Sequence, residues 1–101
     1  MTVRFSDMAW AQLQLAVASL EQISMNAASQ FQDAVEKKLG ILCLFPRSGH
    51  IVAHYGNTTH FRFLVGSYLF YYRIEKANLY ILAIAPATSN FQESSLNALR
   101  D

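Results

Sequence analysis

The side chains in this chain best suited to chemistry lie between positions 60 and 80: His60, Arg62, Tyr71, Arg73 and Tyr80. They supply an imidazole that exchanges a proton near neutral pH, two permanent cations and two phenols, a set fit for acid–base work or polar contacts. The plainer reading of each is also available. Two arginines on a half-exposed sheet face are commonly solvated or paired with a neighbouring acid such as Glu75, the tyrosines pack with wet hydroxyls, and His60 is a surface histidine. His50 and His54 stand four apart, a spacing that suits a metal on a helix. No cysteine or carboxylate lies close to them in sequence, so no metal site is expected. Cys43 is read as a small core residue rather than a nucleophile.

The totals bound what can position these groups. At 101 residues, 52% hydrophobic and 15% charged, the chain is a single domain with material for a real core. A formal charge of +1 gives no bulk attraction to nucleic acid. One cysteine cannot form an internal disulfide. The opening residues lack the apolar core of a signal peptide, and no uninterrupted apolar run is long enough to span a bilayer. The expectation is a cytoplasmic soluble domain with no membrane partner and no cofactor.

"TVRFS" reads as an opening strand around Val3 to Phe5. Ser6 or Asp7 can cap a first helix whose apolar stripe is Trp10, Leu13, Val17 and Leu20, ending near Ser24, with Trp10 in the core. Asn26 is the expected cap of a second helix with Phe31, Ala34, Val35, Leu39 and Leu42 on one side, stopped by Pro46 in a "PRSG" turn. The stretch around "GHIVAHYGNTT" reads as loop with a short strand at Ile51 to Ala53. "HFRFLV", "YLFYYRI" and "LYILAIA" are then three strands in a row.

Gly66-Ser67 suits a two-residue hairpin turn, which fixes the register. Val65 then faces Tyr68, Phe63 faces Phe70 and Phe61 faces Tyr72, putting Phe61, Phe63, Val65, Tyr68, Phe70, Tyr72 and Ile74 on one side. If Ile74 pairs with Leu79, that side continues through Ile81, Ala83 and Ala85, and the helices should cover it. The opposite face then holds the polar group at one end and Leu64, Leu69 and Ile84 at the other. Three aliphatic side chains with no helix left to cover them suggest a partner surface, completed by Tyr80, or a second copy of the chain. Alternatively, the C-terminal segment with Phe91, Leu96 and Leu99 folds back over them. A slip of one residue would exchange the two faces.

Strand, helix hairpin, P-x-x-G turn and antiparallel meander resemble the RelE/ParE toxin superfamily of type II toxin–antitoxin systems. The resemblance is carried by Ala28-Phe31-Val35 in the second helix, Pro46 and Gly49 in the turn, Arg62 and Leu64 in one strand and Tyr68 to Arg73 in the next, and it covers residues 2 to 88. It implies an α+β fold: a two-helix antiparallel hairpin packed on one face of a mainly antiparallel, twisted sheet of about four strands. Residues 1–90 form the single domain, and 91–101 are a C-terminal tail with room for a short helix from Ser94 onward.

The resemblance also implies an antitoxin partner and two alternative activities. A ParE-like toxin binds a target such as DNA gyrase without cutting anything, with Arg62, Arg73 and His60 as polar contacts. A RelE-like toxin cuts messenger RNA on the ribosome, with His60 or Tyr71 exchanging protons and Arg62 and Arg73 holding the phosphate. The strand end "APATSN" offers no His, Arg, Lys or Tyr where the nucleases tend to keep one, and Leu69 stands near where an active-site arginine is often found. These departures weaken the nuclease reading, leaving the ParE-like one favoured; because ParE-like members often close the same strand with a His-Arg-type pair, a relative that has kept the fold and lost toxicity is the third reading.

Overall fold

Three tight turns organise the sheet. The computed structural model describes residues 1–89, 91, 93 and 96. Its elements run β1 (Thr2–Phe5), α1 (Asp7–Glu21), α2 (Met25–Leu44), β2 (His50–Tyr55), β3 (Thr58–Val65), β4 (Tyr68–Glu75) and β5 (Asn78–Pro86). Tyr55 pairs with Thr58, Val65 with Tyr68 and Glu75 with Asn78, so each junction of the meander closes in two residues. The first residue of each turn has positive φ: Gly56 (+61°), Gly66 (+58°) and Lys76 (+56°). Glycine takes that conformation freely, whereas Lys76 holds it against the repulsion between its Cβ and the backbone.

The sheet has five strands in the order β1-β5-β4-β3-β2, one more than the approximate four expected. The extra strand is β2, where the sequence suggested loop and a short strand. β1 joins β5 in parallel, and the remaining pairings are antiparallel. The helix hairpin carries the chain from one sheet edge to the other.

The helices cover one face, and their caps are serines. Ser6 accepts from the Ala9 amide and Ser24 from that of Ala27. The second cap is therefore Ser24, two residues before the expected Asn26. The core holds Phe31, Val35 and Leu42 of α2 against Phe61, Phe63, Val65, Phe70, Tyr72, Leu79 and Ile81 of the sheet. On α1 the fully buried positions are Ala9 and Ala16, with Leu13, Val17 and Leu20 packed beside them. Trp10 does not join the core as expected. It is 53% exposed, with its ring edge-to-face with Phe5 at 5.6 Å. Small side chains let α1 approach the sheet closely, and the larger ones flank the contact.

The P-x-x-G turn is explained by Tyr72. This fully buried tyrosine donates its hydroxyl to the Pro46 carbonyl at 2.8 Å and accepts the Gly49 amide at 3.1 Å. A Cβ on Gly49 would collide with that same hydroxyl oxygen. The turn thus closes on a phenol projecting from β4, and only glycine leaves it room.

Candidate functional site

The face opposite the helices is shaped by a bulge in β5. Ile74 pairs with Leu79 and Tyr72 with Ile81 as expected, but Tyr71 pairs with Ala83, leaving Leu82 as the extra residue. An inserted residue exchanges the two faces beyond it. Ile84 consequently turns under the helices, 3% exposed and in the main core, while Ala83 moves to the opposite side. The expectation that Ile84 lies on the open face with Leu64 and Leu69 is corrected by this shift. Two side chains from the helix side satisfy backbone groups at the bulge: Ser6 donates to the Leu82 carbonyl at 2.9 Å, and Gln12 accepts the Ile84 amide at 2.7 Å.

On the bulge-shaped face, β3 and β4 bring the predicted polar residues together in two cross-strand pairs, His60 opposite Arg73 and Arg62 opposite Tyr71. The structure then closes part of this set with the C-terminal segment. Glu93 Oε2 accepts from Arg62 at 2.7 Å and from the Tyr71 hydroxyl at 3.1 Å. The Phe91 ring stacks on Tyr71 at 4.6 Å, and Leu96 is fully buried against Tyr71, Leu82 and Ala83. Leu69, Tyr80, Val52 and Tyr55 pack around that second cluster. Phe91 and Leu96 thus fold back onto this face, but over Tyr71, Leu82 and Ala83; of the three aliphatics they were expected to cover, only Leu69 packs beside them. Leu99 and most of the helix expected from Ser94 onward lie outside the described residues.

Each remaining predicted residue has a definite place. Arg73 pairs with Glu75, Nε to Oε2 at 3.0 Å, and lies over the Tyr80 ring at 5.6 Å, which is the plain reading of a strand arginine beside an acid. Leu64 is 57% exposed and stays open, while Leu69 is half-buried beside the second cluster. His60 is not the expected surface histidine. It is 1% exposed, edge-to-face with Tyr55 at 5.3 Å, and among the described residues neither ring nitrogen has a hydrogen-bond partner. Burial, aided by the Arg73 charge, holds its pKa below the ordinary histidine value, so the neutral ring is favoured. Burial pushes the Tyr71 phenol up, and its hydrogen bond to Glu93 adds to the effect while Arg62 opposes it.

Sequence reasoning overlooked Glu93, Ser6 and Gln12 in these roles. Glu93 carried a faint signal as the acid two residues beyond Phe91. Ser6 and Gln12 carried none, because what they bind is backbone freed by a bulge more than seventy residues away. His54 binds Thr59 across the β2–β3 hairpin at 3.1 Å, and no cluster of three or more metal-binding side chains forms among the described residues. Among the described residues, no helix is long and apolar enough to cross a membrane.

Ala28, Phe31 and Val35 form the buried stripe of α2, Gly49 packs against Tyr72, and the tyrosine-rich strand is β4 beside the closing strand β5. A comparison with curated proteins finds no match to the chain. A family model described as the ParE toxin of the type II toxin–antitoxin system, parDE, matches residues 3–91, and the chain belongs to that family.

Proposed function

We propose that this toxin-family chain acts by binding its target, DNA gyrase, and is neutralised by a cognate antitoxin that covers the contact surface. The observation that carries the reading is the state of the polar set. Tyr71 is buried with a raised pKa and bound to Glu93, and His60 is sealed from solvent in its neutral form. A nuclease needs groups that reach the ribose hydroxyl and the leaving oxygen within hydrogen-bonding distance. Neither of these two side chains is presented for that.

The surface that remains suits contact rather than catalysis. Leu64 is open, Arg62 and Arg73 are partly accessible at the rim, and Tyr80 lies under the Arg73 guanidinium. His60 and Ile84 are not part of it, because both side chains are buried. Leu64 lies at one end of the β3–β4 ladder and Arg73 at the other, and arginine and tyrosine are residue types enriched at protein interfaces. The test is supercoiling by purified gyrase in the presence of the purified chain, with total RNA incubated in parallel. Stalled supercoiling with intact RNA is the expected outcome. RNA cleavage that is lost in Arg62→Ala, with supercoiling unaffected, would replace this reading with the nuclease.

A further inference from the structure

Phe91, Glu93 and Leu96, close together in sequence, each anchor on the second sheet face. Phe91 stacks on Tyr71, the Glu93 carboxylate takes hydrogen bonds from Arg62 and Tyr71, and Leu96 fills an apolar socket beside Leu82 and Ala83. The Tyr55 hydroxyl adds a long contact of 3.5 Å to the Glu93 carbonyl. This is how a groove reads a peptide: pockets for particular side chains at fixed offsets. We infer that the face formed by Arg62, Tyr71, Leu82 and Ala83 is a peptide-binding groove occupied by the chain's own C-terminal segment. A partner polypeptide carrying aromatic–x–acid–x–x–aliphatic competes for it.

Two features make the occupant exchangeable. The Arg62 and Glu93 side chains are each about one-third exposed, so water reaches the ion pair and such a pair holds only weakly. The segment's advantage is its tether, since a short connection from the end of β5 gives a local concentration on the order of millimolar. A free peptide of the same chemistry must outcompete that tether, and it gains access when the internal anchors are weakened. The inference is independent of whether the chain arrests growth or stalls gyrase.

The probe is a fluorescently labelled peptide with the sequence of residues 88–101, TSNFQESSLNALRD, titrated against the full chain and followed by anisotropy. The chain carrying F91A and E93Q together is expected to bind the peptide at least about tenfold more tightly than the unaltered chain. A peptide bearing the same two changes should lose at least as much. Equal binding by both chains, or no binding by a variant that circular dichroism shows to be folded, overturns the groove. Should the double variant not fold, E93Q alone removes only the charge of a side chain about one-third exposed. A gain of several-fold is then expected, and no gain overturns the inference.

Discussion

Replacing His60 by leucine should make the protein more stable, and the size of the gain can be worked out from its surroundings. The imidazole is 1% exposed, and among the described residues neither nitrogen has a partner. Each unpaired buried polar group costs about 1–3 kcal/mol. Leucine removes both groups and forfeits the edge-to-face contact with Tyr55, worth about 0.5–1.5 kcal/mol. The net expectation is a gain of about 1 kcal/mol or more near pH 8, read as a higher urea midpoint at unchanged slope.

Acid provides the second part of that prediction. His60 has a pKa below its unfolded value of about 6.5, because burial and the nearby Arg73 charge disfavour the imidazolium. As pH falls through that unfolded value, the unfolded chain takes up a proton that the folded chain refuses. Stability is therefore full above about pH 6.5 and declines below it, at up to about 1.4 kcal/mol per pH unit. The parent should thus lose stability relative to His60→Leu as the pH falls below about 6.5. A variant less stable than the parent at pH 8, or a difference that stays constant with pH, would refute a neutral and unpaired His60.

Three further outcomes test the framework around the site. Ile84→Ala should cost about 2–5 kcal/mol in chemical denaturation and Leu64→Ala about 0.5 or less, because the bulge sends one under the helices and leaves the other open; comparable costs would contradict the shifted register. Gly49→Ala should cost about 1–3 kcal/mol, since the new methyl group must displace the buried Tyr72 hydroxyl, and a thermal midpoint within error of the parent would count against that packing. Lys76→Gly should raise stability by about 1 kcal/mol by relieving a positive φ, visible as a rise of several degrees in the thermal midpoint.

The sheet was legible in sequence wherever local chemistry sets the geometry. Gly66-Ser67 fixed the β3–β4 register, and the Ile74–Leu79 pairing began β5 correctly. Legibility ended at Leu82. Nothing in "LYILAIA" distinguishes a regular strand from a bulged one, because the groups that satisfy the bulge are Ser6, which caps the distant first helix, and Gln12 within it. β2 was legible only as the short strand at Ile51 to Ala53, because it is an edge strand whose apolar alternation is interrupted by histidines, although the Gly56-Asn57 dipeptide beyond it is a recognised hairpin signal. Trp10 was misplaced because hydropathy ranks large side chains above alanine, whereas the buried positions of α1 are Ala9 and Ala16. His60, Arg62, Tyr71 and Arg73 do share a face as the register implied. That Glu93 sits on two of them depends on where the chain goes after β5, which no periodicity records.

Growth after induced expression of the unaltered chain, with no antitoxin supplied, tests the proposed toxicity most directly. Arrest that is relieved by co-expressing the cognate antitoxin is the predicted result. Undiminished growth at a protein level confirmed by immunoblot would contradict it and leave a family member that has kept the fold without the activity.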